Sequence, residues 1–235
     1  MAAGTAAFVL LGNGGGSDGD TGRRALTADE ANRLAITRFR NYQTGGRAVT
    51  ITVPSTGGGL TVTGAVDYRA KVGYGVVRGS GRDTSSDGLI EWSSTTVLIL
   101  PMANAPATLP NSPPASGWYR RPVTTAGSSL DSALTIALGL GSDRPDNAEL
   151  LPQNGAARVG QDEVRGHRVV VMTGPKSTAA SGPSGAVRYW VGSDGTMYRV
   201  RASVASEQQP VVIDFDTHPY VAVRPLPGAT STPSS

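Results

Sequence analysis

Residues 60–71 read LTVTGAVDYRAK, a stretch in which apolar and polar side chains alternate. Residues 49–53, VTITV, show the same alternation, and residues 72–76 continue it. Successive side chains of a β-strand point to opposite faces of a sheet, so a period of two is typical of strands with one apolar and one wet face. The sequence therefore predicts a sheet that buries one of its faces.

A helix is predicted over residues 27–42, before these strands. Thr27 and Glu30 have the spacing of a capping box, in which each side chain satisfies a free backbone N–H of the first turn. An apolar stripe follows at helical period, made of Ala28, Ala31, Ala35, Phe39 and Tyr42. The stripe predicts that this helix packs on the sheet.

A second helix is predicted over residues 129–140, and it has almost no polar face. Such a helix is either buried or lines an apolar cavity. If it closes over the dry face of the sheet, facing side chains from both elements form an apolar ligand site. The residues predicted for this site are Val62, Val66, Tyr68, Leu130, Leu134 and Leu138.

Strand patterns resume after a short helix expected to open at Pro145. Asp194-Gly195 is predicted to be a two-residue hairpin turn. Strands followed by helices and then by strands, without βαβ alternation, favour an antiparallel sheet with helices on one face. The strands expected after this helix cover residues 158–161, 167–172, 187–191, 197–204, 211–215 and 220–223, and a further strand is expected before it at residues 89–100.

The chain is expected to form a single β-rich domain over residues 25–227. Residues 1–24 combine an apolar start with a Gly/Ser-rich linker, and residues 228–235 have the composition of a disordered tail. The apolar run 2–11 is shorter than a membrane span and has no basic residue before it. It is either a frayed end or the end of a longer membrane or signal segment, and the linker favours the second. An extracytoplasmic location, with membrane association through an upstream anchor, is therefore expected.

Several segments together resemble the LppX/LprG group of actinobacterial lipoproteins and the wider LolA-like superfamily. The resemblance covers residues 26–227, although the lipobox cysteine is absent. It implies an α+β fold with a large curved antiparallel sheet, a half-open barrel, whose concave face is covered by helices and holds an acyl chain or glycolipid. The segments are WYRRPV (118–123), RPDNAELL (144–151), GQDEVRGHRVVV (160–171), YWVGSDGTMYRVRA (189–202) and VVIDFD (211–216).

Composition excludes several classes of function. The chain has no cysteine, which removes disulfides, thiolate catalysis and cysteine-ligated metals. Its formal net charge is +3 and its pI about 9.4, but the basic residues are scattered rather than clustered. Nucleic acid is therefore not an expected partner, and the domain is expected to be a monomer.

No catalytic motif is recognisable. Residues 182–185, GPSG, do not complete a nucleophile elbow, and residues 73–79 miss the spacing of a dinucleotide loop. Asp214, Asp216 and His218 alternate in a way that could hold a metal, but they are predicted to face water on an exposed strand face. We expect no metal, no cofactor and no enzymatic activity. The aromatic side chains Tyr68, Tyr74, Trp92, Trp190 and Tyr198 are expected in the core.

Three functions follow from these patterns. The first is an envelope carrier or binding protein for a lipid or another hydrophobic ligand. The second is a non-catalytic sensory or assembly domain that binds a protein partner in the envelope, and an unrecognised hydrolase is the third. A closed apolar cavity favours the first function, whereas a filled core with an exposed apolar patch favours the second.

Overall fold

The computed structural model describes residues 22–175, 187–204, 207–216, 222, 223 and 226. The described residues form twelve strands and three α-helices, with one turn of 3-10 helix at Thr84–Ser86. The helices are α1 (Ala28–Gln43), α2 (Ser129–Gly139) and α3 (Leu150–Gln153). The strands are β1 (Arg24–Ala25), β2 (Gly46–Ser55), β3 (Gly58–Asp67), β4 (Val72–Gly81), β5 (Gly88–Trp92), β6 (Thr96–Pro101), β7 (Tyr119–Pro122), β8 (Ala157–Val164), β9 (His167–Thr173), β10 (Arg188–Val191), β11 (Met197–Ala202) and β12 (Val211–Phe215).

All twelve strands of the described chain belong to one open, curved sheet, and every neighbouring pair is antiparallel. The strand order is β1-β8-β9-β10-β11-β12-β2-β3-β4-β5-β6-β7, so β1 and β7 are the edges. After β7 the chain crosses to the other side of the sheet, where β8 lies beside the edge strand β1, and β9 to β12 then return toward β2. The predicted large antiparallel sheet is confirmed. Residues 1–21 of the predicted N-terminal tail, the predicted C-terminal tail 228–235 and residues 220 and 221 of the expected strand 220–223 lie outside the described residues, whereas Arg24 belongs to β1.

The predicted α+β half-open barrel, with helices covering its concave face, is wrong. The described helices contain 16, 11 and 4 residues. At 1.5 Å per residue the longest is about 24 Å long and about 10 Å wide, whereas twelve strands at about 4.8 Å spacing span about 53 Å. α1 lies against β2, β10 and β11, and α2 against β2, β3, β4 and β12. Helical periodicity revealed where the helices are but not how little of the sheet they cover.

The face of the sheet that packs on α2 is called the inner face. Its core combines Ile51, Val62 and Phe215 from the strands with Ala133 and Leu134 from α2, all almost fully buried. The opposite, outer face is partly covered as well. There Tyr74 and Leu89 pack with Val223 and with the segment 102–118. This cover buries both faces of β5 and most of β4. Of the strands predicted to have one face exposed to water, β2 and β3 have it and β4 largely does not.

Residues 60–76, whose alternation runs without a break, form two strands and a turn. The side chain of Asp67 accepts hydrogen bonds from the N–H groups of Arg69 and Ala70, and Lys71 has a φ of 53°. This is an Asx-type reversal, which aspartate favours. Because Asp67 pairs with Val72, the apolar residues change face at the turn: Val62 and Val66 lie on the inner face, whereas Val72, Tyr74 and Val76 lie on the outer face.

The capping box of α1 is present, with both the Thr27 and the Glu30 bonds formed. The buried side of the helix differs from the predicted stripe, because Thr37 and Asn41 are buried and Ala28 is exposed. The Thr37 hydroxyl donates to Leu34 O, and Asn41 Nδ2 donates to Leu140 O at 2.9 Å. Polar side chains that find buried partners can therefore face the core, which hydrophobic periodicity does not anticipate.

The turn between β10 and β11 is a three-residue loop rather than the predicted two-residue hairpin. The Gly192 N–H donates to Thr196 O, and the Gly195 N–H donates to Gly192 O. Within this loop only Gly195 has a positive φ, of 85°. That pattern is a type I turn closed by a left-handed residue. Asp194 forms an ion pair with Arg40, which ties the loop to α1.

Gly195→Val is expected to lower the free energy of unfolding by more than about 1 kcal/mol. A β-branched residue resists this φ, and a Cβ here would approach Ile36 Cδ1 to 2.8 Å. Urea unfolding measures the change. The matched control is Gly160→Val, since a Cβ there meets no atom within 4 Å. Equal stabilities of the two variants would contradict the loop geometry.

Candidate functional site

The six residues predicted to form an apolar ligand site lie together on the inner face. Val62, Val66, Tyr68 and Leu134 are buried in one cluster, against which Leu130 and Leu138 pack while remaining half-buried. Side chains from the strands and from α2 pack together in this cluster. Trp92 is fully buried in it, and its Nε1 donates to Leu134 O at 3.2 Å.

Tyr68 introduces a polar group into this core. Its hydroxyl is buried and has no hydrogen-bond partner among the described residues. Burial raises the pKa of the Tyr68 hydroxyl, and the nearby positive charge of Arg47 lowers it less. Arg47 itself donates to Asn41 Oδ1 at 3.0 Å and lies 5.0 Å above the ring of Phe215. The sequence predicted that Tyr68 lies in the core, but it did not predict that Arg47 lies beside it.

An open cleft of about 300 Å³ lies beside the core, between α1, α3 and β10. We call it the α1–α3 cleft. Its lining surface is mainly apolar although five of its ten lining residues are polar or charged, and none of the six predicted residues lines it. Its lining residues are Leu34, Thr37, Arg38, Asp146, Asn147, Leu150, Leu151, Asn154, Pro175 and Tyr189.

The charged groups of this cleft neutralise one another. Arg38 binds Asp146 through two hydrogen bonds of 2.7 and 3.2 Å, and its Nη1 donates to Gly139 O. The Asp146 N–H donates to Ala35 O at 2.9 Å, which fixes the segment leading to α3 against α1. The polar rim therefore carries no net charge, and an anionic head group would find no unpaired cation there.

Tyr189 forms the floor of the α1–α3 cleft from β10. Burial raises the pKa of its hydroxyl, and the charges of Arg38 and Asp146 act in opposite directions. Leu150 lies on the lip and is 46% exposed. Leu150 and Tyr119 are the large hydrophobic side chains that the described part of the chain leaves exposed.

Sequence reasoning missed this cleft for two reasons. Leu34 lies outside the predicted stripe of α1, and the short helix begins at Leu150 rather than at Pro145. In the sequence, Leu150 and Leu151 belong to the segment 144–151, which carries part of the family resemblance. Two consecutive leucines in a polar loop region were the available signal.

The residues weighed as metal ligands have other roles. Asp214 receives two hydrogen bonds from Arg199, at 2.6 and 3.2 Å, and is half-buried. Asp216 forms an ion pair with Arg165 at 3.5 Å, and His218 lies outside the described residues. Nowhere in the described part of the chain do three histidine, aspartate or glutamate side chains group to hold a metal. His167 stacks on Tyr198 with ring centroids 4.6 Å apart.

A second cleft of about 290 Å³ lies on the outer face. We call it the outer cleft. Thr61, Thr63, Val76 and Arg78 form its floor, and residues 107–109 form its wall. Arg78 donates to Pro106 O at 2.6 Å, which holds this wall against β4.

Comparison with known proteins gives little similarity. No family model matches the sequence, and no curated protein matches it significantly. An uncharacterized conserved protein from Thermus thermophilus matches at 8% identity and a TM-score of 0.37, over 80% of this chain and 95% of that one. A DUF1329 family protein from Desulfovibrio piger matches at 13% identity and a TM-score of 0.32, over 80% and 90%. At these scores neither match supports an argument about function. Within the described residues no helix is both long and apolar enough to cross a bilayer.

Proposed function

We propose that this protein is a non-catalytic binding or carrier protein for a hydrophobic ligand, such as an acyl chain, in the cell envelope. The observation that carries the proposal is the α1–α3 cleft, which is open and predominantly apolar. Ligand sites are commonly apolar clefts of about 300 to 1,000 Å³. This cleft lies at the lower limit and suits part of a chain rather than a whole lipid.

The electrostatics of the cleft favour binding of an uncharged or apolar part of a ligand. Its one ion pair is closed between Arg38 and Asp146, and the other polar side chains are neutral. Each methylene that leaves water contributes about 0.8 kcal/mol, so a short segment of chain supplies useful affinity without a charged contact. The resemblance to the LppX/LprG group supports the same ligand class and an extracytoplasmic location.

We place the proposed site away from α2, because the six residues first predicted to bind the ligand pack together in the core there. Trp92 belongs to the same cluster. The α1–α3 cleft, in contrast, has an exposed lip at Leu150. The ligand is therefore proposed to bind beside α1 rather than beneath α2.

A second candidate function is binding of a protein partner. It is favoured by the filled core and by Tyr119, which is 71% exposed on the edge strand β7. Edge strands offer unpaired backbone groups to other chains. Tyr119 and Leu150 therefore distinguish the two functions, since each belongs to one candidate surface.

The test is a titration of the purified chain with a fluorescent fatty acid, together with native mass spectrometry for co-purified lipid. Leu150→Glu should weaken probe binding about tenfold, because losing the burial of about two methylenes costs about 1.6 kcal/mol. Tyr119→Glu makes a matched apolar-to-charged change on β7 and should leave probe binding as in the wild type.

Leu134→Trp is the third variant, and it distinguishes binding in the core beneath α2 from binding in the α1–α3 cleft. It overpacks the core beneath α2, so stability should fall by about 1–3 kcal/mol while the folded fraction still binds the probe. A wild-type chain that takes up no probe and carries no lipid would overturn the carrier proposal. Loss of probe binding in Tyr119→Glu alone would place the binding surface on β7 instead.

A further inference from the structure

The outer face of β2 and β3 carries a regular array of hydroxyl groups. The register pairs Thr50 with Thr63 and Thr52 with Thr61. These four side chains lie on the face opposite the buried residue Ile51, with Thr52 and Thr63 exposed and the other two half-buried. Strand spacing places the pairs about 4.8 Å apart across the strands and about 7 Å apart along them. None of the four hydroxyls has a hydrogen-bond partner among the described residues.

Arginines flank this array in the same row of the sheet. Arg201 pairs with Val212, which in turn pairs with Thr52 on the next strand. On the other side of the array, Arg78 pairs directly with Thr61. Arg188 extends the row by one strand beyond Arg201. The row crosses six adjacent strands over about 24 Å. In order it contains Arg188, Arg201, Val212, Thr52, Thr61 and Arg78.

The three arginines of the row form no ion pair with any carboxylate that the structure describes. The neighbouring row provides the contrast, because Arg199 there is neutralised by Asp214 at 2.6 Å. The guanidinium of Arg201 lies 5.0 Å above the ring of Trp190, and its Nε is buried without a partner among the described residues. Arg78 is held by the carbonyl of Pro106. Positive charge is therefore present at both ends of the hydroxyl array, and that of Arg201 is partly offset by the carboxylate of Asp162, which accepts a hydrogen bond from Trp190 Nε1.

The outer cleft adds a recess at the Arg78 end of the row. Its floor contains Thr61, Thr63 and Arg78, so hydroxyl groups and a cation converge on about 290 Å³. That volume suits a single small unit of a longer ligand.

We propose that the outer face of β10, β11, β12, β2, β3 and β4 binds an acidic polysaccharide. Its anionic groups bind Arg188, Arg201 and Arg78, its hydroxyl groups bind the four threonines, and one sugar unit occupies the outer cleft. An extended chain with repeated negative charge and many hydroxyls matches both the length and the polarity of this row.

Two other anionic partners fit the surface less well. Single-stranded nucleic acids gain much of their affinity by stacking bases on exposed aromatic rings. Here Trp190 is buried under Arg201, Tyr74 and Trp92 are buried elsewhere, and the half-buried Tyr198 beside Trp190 is stacked on His167. An anionic membrane surface favours exposed apolar side chains beside the cations, whereas threonines occupy that position here.

The test is titration calorimetry of the full chain with an oligouronate of about six sugars, at 50 and 200 mM salt. We expect binding that weakens at the higher salt concentration, because screening reduces the attraction between exposed charges. Arg78→Gln combined with Arg188→Gln should weaken binding at least tenfold at 50 mM salt. The matched control, Arg23→Gln combined with Arg144→Gln, removes two exposed arginines outside the row and should change affinity less than twofold.

The hydroxyl array is tested by Thr52→Val combined with Thr63→Val, which removes two hydroxyls and keeps residues that favour strands. Binding should weaken several-fold while the melting temperature stays near that of the wild type. No oligouronate binding, equal losses in the row and control variants, or equally tight binding of a neutral glucan would each overturn the proposal. Tighter binding of oligodeoxythymidine would assign the surface to nucleic acid instead. Fatty-acid binding in the α1–α3 cleft is independent of all these outcomes.

Discussion

Asp131→Ala is expected to lower the free energy of unfolding by about 3 kcal/mol, because it breaks a buried ion pair and removes a shared acceptor. The Asp131 side chain is 0% exposed. Its two oxygens accept hydrogen bonds from Arg121 at 2.6 and 2.7 Å, and one of them also accepts from the Thr124 N–H at 2.7 Å. A single carboxylate therefore joins edge strand β7, the following loop and the first turn of α2.

The electrostatics of Asp131 support this expectation. Burial by itself raises the pKa of Asp131, but the hydrogen bonds from Arg121 and Thr124 outweigh it and hold the pKa below its usual value. The expected loss is at the lower end of the range for buried pairs, because the 36% exposed Arg121 can regain water. Urea unfolding at pH 7 measures it. Asp143→Ala, at an exposed loop position, is the control, and a loss below about 1 kcal/mol for Asp131→Ala would contradict the assigned role.

Glu91→Gln is expected to stabilise the protein above pH 7, by up to about 3 kcal/mol. Glu91 is 0% exposed on β5, and one oxygen accepts a hydrogen bond from the Leu226 N–H at 2.8 Å. The other oxygen has no partner among the described residues, and neither does the hydroxyl of Tyr74, the residue paired with Glu91 on β4. A neutral amide keeps the acceptor for Leu226 and removes the charge from this apolar site.

The sign of the effect follows from the pKa of Glu91. Burial raises this pKa from 4.5 to about 7, against the opposing effect of the Leu226 N–H. Below pH 4.5 the group is protonated in both the folded and the unfolded chain and causes no difference. As the pH rises from 4.5 to 7 the unfolded chain releases the proton first, so the free energy of unfolding falls. Above pH 7 both states are ionised and the loss is complete, at about 1.4 kcal/mol for each unit by which the two pKa values differ.

The measurement is urea unfolding of wild type and Glu91→Gln at several pH values from 4 to 9. The difference between the two curves should grow from pH 4.5 to 7 and then become constant. Glu163→Gln makes the same chemical change on an exposed side chain and is the control. Parallel curves for wild type and Glu91→Gln would show that Glu91 does not titrate in the folded state as its burial requires.

The sequence by itself determined the local structure, because periodicity and capping depend on neighbours along the chain. The alternation of residues 49–53 and 60–67 predicted β2 and β3, and Thr27 with Glu30 predicted the start of α1. The apolar residues 129–140 predicted α2. These signals also brought Val62 and Leu134 into one core, since the dry faces of a helix and a sheet must cover each other.

Only the tertiary structure decided how wide the sheet is, what fills its core and where open space remains. These features depend on contacts between residues far apart in the chain, which local patterns do not encode. Trp92 fills the space beneath α2, and Leu34 meets Leu150 and Tyr189 only because α1, α3 and β10 converge. The row from Arg188 to Arg78 likewise exists only through the register of six strands, whose order in the sheet differs from their order in the sequence.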